Sequence, residues 1–107
     1  MRRAASNAMR STPELVLIAR VPESTIGSVV PVPLEALDSF AEPEPSKGAT
    51  IELASGRLVV AIHGLVTGRL AIHAQSSDAD DAVEDFLRES GIPHDAIEWR
   101  RPSFARR

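Results

Sequence analysis

Three groups of side chains in this sequence have the types and spacing that could do chemistry. His63 and His73 each follow an Ala-Ile pair, and imidazole serves as a metal ligand or as a general acid and base near neutral pH. Asp78, Asp80, Asp81, Glu84, Asp85 and Glu89 crowd one stretch, a density that would fit calcium binding or paired-carboxylate catalysis. Arg2, Arg3 and Arg10 at one end, and Arg100, Arg101, Arg106 and Arg107 at the other, stand in segments without a single acid. Such basic ends suit phosphate or another anion.

Each group has a plainer reading. The histidines would lie on two strands joined by a turn, near opposite ends of the pair. Several residues at about 3.3 Å each put them well over about 10 Å apart, whereas zinc ligands sit about 2.0–2.2 Å from the metal. The acidic run lacks the glycine that an EF-hand loop needs at its sixth position, and most of it fits the solvated face of a helix. The arginines fit solubilising ends.

Other chemistry is excluded by what is missing. With no cysteine, disulfides, thiolate metal sites and cysteine nucleophiles are ruled out. There is no G-x-S-x-G elbow, no G-x-G-x-x-G and no P-loop. Phe40, Phe86, Trp99 and Phe104 are the only aromatic residues, too few to build a stacking surface for single-stranded nucleic acid. No apolar run approaches the 18 residues of a transmembrane helix.

The elements that position these groups follow from periodicity. The chain of 107 residues fits one domain. Leu15 to Val21 is a short aliphatic run ended by Pro22 and reads as a buried strand. Residues 22–48 hold five prolines (Pro22, Pro31, Pro33, Pro43 and Pro45) and read as irregular. Val29-Val30 would add a short strand, Pro33 to Phe40 two helical turns, and Glu42 to Gly48 an extended linker. Thr50 to Ala54, Arg57 to His63 and Arg69 to Ala74 read as three strands, with turns at Ser55-Gly56 and Gly64 to Gly68. Leu58, Val60 and Ile62 would share one face, with Val59 and Ala61 on the other. Leu70 and Ile72 would oppose Ala71 and His73.

Residues 77–90 carry the clearest helix signal. Ala79, Ala82, Val83, Phe86 and Leu87 make one apolar stripe at helical period. Ser77 with Asp80 predicts a capping box, Gly91 a left-handed stop and Pro93 a block to continuation. Ala96 to Arg100 reads as a last strand with Ile97 and Trp99 on one face.

The sequence therefore predicts an α+β fold: a small, mostly antiparallel sheet of three to five strands with one amphipathic helix, about 77–90, packed on one face. Residues 1–11 would be a basic flexible N-terminus, 12–100 the domain and 101–107 a basic tail. Outside the two basic ends, all fifteen acids face five bases (Arg20, Lys47, Arg57, Arg69 and Arg88). An acidic body between basic ends fits a small non-enzymatic interaction module, a regulatory, accessory or assembly subunit without a cofactor or metal. Its partner would be another protein, met through the helix face Asp81, Glu84, Asp85, Arg88 and Glu89. The partner could also be a second copy, joined through an edge strand such as 57–63. One alternative is nucleic-acid association through the seven terminal arginines. A second is a small enzyme or ligand-binding domain using His63 or His73. A cytoplasmic location is expected, or an organelle matrix if the Arg- and Ser-rich residues 1–11 are a transit segment. Met9 is an alternative start.

Overall fold

Alternating apolar residues over 58–64 and 69–75 make the two strands from which the sheet is built outward. A computed structural model describes residues 1–37 and 44–101. Among them it places seven strands: β1 (Arg2–Arg3), β2 (Pro13–Arg20), β3 (Glu35–Ala36), β4 (Ser46–Glu52), β5 (Leu58–Gly64), β6 (Arg69–Gln75) and β7 (Ile97–Arg100). The order across the sheet is β1-β4-β5-β6-β2-β7, with β3 pairing beside β1 on the outer edge of β4. Every pairing is antiparallel. The α+β architecture is as expected, and the sheet is larger than the three to five strands read from the sequence. Strand 57–63 lies between β4 and β6, so it is no edge. The true edges are β7 and the two-residue strands β1 and β3, all too short to invite pairing easily.

Residues paired across antiparallel strands share a face, and burial sorts the two faces. Leu17, Ala19, Ile51, Val59, Ala61, Leu70, Ile72 and Ala74 are buried on one side. The helix α2 (Ala79–Ser90) covers them over β6 and β2, and its stripe of Ala79, Ala82, Val83 and Phe86 is buried while Leu87 is half-buried. Val21, Val29, Val30 and Val32 from the proline-punctuated segment join the same cluster. Gly91 ends the helix at φ 67°, its N–H reaching the carbonyl of Leu87, a left-handed turn that a side chain would strain. The helix begins differently from expectation. A 3-10 turn at Ser76–Asp78 leads in, Asp78 is the N-cap, and no side chain caps the first turn.

The segment before β4 departs most from the sequence reading. Val29 ends a one-turn helix, α1 (Ile26–Val29), in place of a strand. Glu35 and Ala36 pair with Gly48 and Lys47, and Leu37 N–H reaches the carbonyl of Ser46, so residues 33–37 are extended and not helical. The rest of that expected helix lies outside the described residues. Ser46 to Gly48, expected as linker, begins β4. Residues 1–11 are also tied to the domain. β1 pairs with Glu52 and Ile51, Ala4 N–H reaches Thr50, and Gln75 Oε1 accepts from the backbone N–H groups of Arg10 and Ser11.

Phe86, fully buried, is the largest side chain joining helix to sheet. Phe86→Ala is expected to cost about 3–5 kcal/mol, and Leu87→Ala distinctly less because Leu87 is only partly covered. Urea unfolding monitored by circular dichroism checks both. Equal losses would contradict this placement of the stripe.

Candidate functional site: the two faces of the sheet

The helix was expected to turn its acids outward, but geometry turns several of them onto the β4–β5 turn. Asp85 is 8% exposed. Its carboxylate accepts from the Ser55 hydroxyl at 2.7 Å, from Arg57 Nη1 at 2.7 Å and from Arg88 Nη1 at 3.0 Å. The Ser55 hydroxyl, then the two guanidiniums, hold this carboxyl below the usual range against the opposing effect of burial. Arg57 is correspondingly raised, chiefly by its bond to Asp85. Asp81 lies 3.6 Å from the same Arg57. Glu89 Oε2 accepts from Ala54 N–H at 2.6 Å, and its Oε1 lies 3.2 Å from the Met1 nitrogen. Glu84 pairs with Arg100. All five predicted helix-face residues, Arg88 included, therefore have an internal partner.

The arginine ends behave the same way. Arg2 pairs with Glu52 at 2.9 Å, Arg3 with Glu35, and Arg101 with Glu14 and Asp80. Arg10 has no ion pair among the described residues, and Arg106 and Arg107 lie outside them. Exposed pairs contribute only about 0–1 kcal/mol each, so these contacts set position and cancel charge more than they stabilise. The anions met by Arg2, Arg3, Arg100 and Arg101 are the domain's own.

The histidines are on opposite faces. His63 pairs with Leu70, and His73 with Val60, an offset of three residues or about 10 Å along the strands. His63 is 2% exposed and its Nε2 donates to the carbonyl of Val21 at 2.7 Å. It thereby fastens the start of the proline-rich segment to β5. His73 is half-buried on the helix-free face. No group of three His, Cys, Asp or Glu among the described residues is arranged to hold a metal.

That helix-free face is the feature the sequence reading missed. Trp99 pairs with Ile18, Ile18 with Ala71, and Ala71 with Ile62, so the four form one apolar row across the sheet. Leu15, His73 and Val60 make the next row. On the other side of the Trp99–Ile18 row, Glu98 links Arg20 at 2.8 Å and Arg69 at 3.0 Å, a rim already paired. Trp99 was expected beside Ile97. A bulge between Ile18 and Ala19 pairs Ile97 with Ala19, which sends Ile97 to the core and leaves Trp99 42% exposed on the other face. Toward β4 the row opens into a groove of about 460 Å³, floored by Gly48, Thr50, Val60 and Ile62 and walled by Leu37, Ala4 and Ala5. Residues 4–11 cross this face, because Gln75, which holds Arg10 and Ser11, alternates with the buried Ala74 and so points away from the helix.

No family model, curated protein or solved structure matches the chain.

Asp85 gives a pH dependence with a definite sign. A carboxyl lowered in the folded state adds stability that is fully present above its unfolded value, about pH 4, and is lost as pH falls through the folded value. Asp85→Asn is therefore expected to cost about 1–3 kcal/mol at pH 7, with the gap to the unsubstituted protein closing below about pH 4. Urea midpoints measured from pH 7 down to acid check it. A gap that persists undiminished in acid would contradict the ion-pair account.

Proposed function

We propose that this chain is a small non-enzymatic interaction module that meets another protein through the helix-free face of its sheet. One observation carries the reading. An apolar row from Trp99 through Ile18 and Ala71 to Ile62 lies under no α-helix among the described residues, and it runs from three half-buried side chains to a tryptophan 42% exposed. Contiguous apolar surface of this kind marks interaction sites, and tryptophan is among the residues that dominate binding energy. The groove beside Leu37 extends the same surface.

The acidic helix face is a weaker candidate than its sequence implied. Its carboxylates already have cations or N–H donors, and a partner would have to replace those contacts to gain anything. Nucleic-acid association loses support for the same reason, with Arg2, Arg3, Arg100 and Arg101 paired internally. An enzyme built on His63 would need its buried Nε2 freed from Val21.

The test contrasts the two faces. Trp99→Asp on the open face is expected to weaken capture of a bound partner by at least about 2 kcal/mol, roughly thirtyfold in affinity. Asp81→Lys on the helix face is expected to leave that capture nearly unchanged, and both variants to keep their urea midpoints. A partner lost on Asp81→Lys and retained on Trp99→Asp would overturn the assignment.

A further inference from the structure

The β5–β6 turn, Gly64 to Gly68, is built around a carboxylate. Glu44 Oε1 accepts from the backbone N–H groups of Val66 at 2.8 Å and Thr67 at 2.9 Å, and Oε2 accepts from the Thr67 hydroxyl at 2.6 Å. Thr67 Oγ1 itself accepts from Arg69 N–H at 3.1 Å, which leaves the hydroxyl proton for the carboxylate. Leu65 N–H adds a fourth donor, to the carbonyl of Pro45 at 2.9 Å. Successive backbone N–H groups converging on one point form a concave anion site. The carboxylate lies so close to Gly64 that a Cβ there would come within 2.4 Å of Oε2, so a side chain at 64 would push the carboxylate aside.

The surroundings favour exchange over permanent burial. Val66 is 76% exposed and Leu65 38%, two adjacent apolar side chains of the turn open to solvent. The Thr67 bonds, with Arg69 as a weaker positive neighbour, hold the Glu44 carboxyl below its usual range, so the internal occupant is an anion at neutral pH. Glu44-Pro45 also shows what fits: a carboxylate followed by a carbonyl for Leu65.

We propose that this turn is a carboxylate-binding site filled in cis by Glu44, and that it takes an acidic residue from a partner segment when Glu44 is displaced. The site lies at a hairpin tip and does not depend on the helix-free face. A group that occupies its own site lowers the apparent affinity for a competitor by the fraction of open molecules. The same donors serve both occupants, so removing the Glu44 side chain frees them for a competitor.

The test is amide NMR of Glu44→Ala titrated with sodium acetate at constant ionic strength, with inorganic phosphate as a second probe. Saturable shifts centred on Val66 and Thr67 are expected, with a midpoint at least about tenfold below that of the unsubstituted protein, and acetate is expected to be favoured over phosphate. Glu44→Gln retains one carbonyl acceptor and should show the same shifts at a higher midpoint, which keeps the test informative if the alanine variant unfolds. A folded variant with no saturable shift would reduce Glu44 to a structural clamp and overturn the proposal. So would a midpoint equal to that of the unsubstituted protein, or a preference for phosphate.

Discussion

One long helix cannot cover this sheet, and most of the architecture follows from that shortfall. A helix is about 10 Å wide and strands are spaced about 4.8 Å apart, so α2 spans roughly two strands, β6 and β2. On the same face β4 and β5 need other cover. The valines of the proline-punctuated segment provide it, fastened by the bond from His63 to Val21. On the opposite face there is no α-helix among the described residues. The first residues of the chain, with the 3-10 turn Ser6–Ala8, cross part of it, and the apolar row is half-buried up to an exposed Trp99. The irregular segment, the buried histidine and the exposed tryptophan all answer to the same geometric deficit.

Charge follows a second constraint. The acids concentrate in the middle of the chain and the arginines at its ends, yet folding brings the two together. Arg100 and Arg101 lie on and after an edge strand near α2, where Glu84 and Asp80 meet them. Arg2 and Arg3 run beside β4 and β3, where Glu52 and Glu35 meet them. A sequence separation that reads as two poles of opposite charge becomes short-range neutralisation. Asp85 is the strongest instance, because its pairing with Ser55 and Arg57 also fixes the β4–β5 turn against the helix.

Much of this was legible from local pattern. The period of α2, its stop at Gly91, strands β2, β5 and β6 and the faces of Leu70 and Ile72 all come from spacing that a regular element must obey. What was not legible depends on partners far along the chain. Arg2 and Arg3 carry no strand pattern and become one by pairing with β4. Leu34 and Leu37 have helical spacing, but the open edge of β4 draws Glu35 and Ala36 into the sheet instead. Asp85 borders the apolar stripe, and only the fold decides that this border meets Ser55 and Arg57. The bulge at β7 breaks the alternation that Ile97 and Trp99 would otherwise keep, and with it goes the sequence's best clue to the open face.

The central claim is that recognition belongs to the helix-free face and not to the acidic helix. Photo-crosslinking in cells tests it directly, with benzoylphenylalanine placed at position 99 in one protein and at position 81 in another. The account predicts a discrete protein adduct from position 99 and none from position 81. An adduct from position 81 with none from position 99 would contradict it.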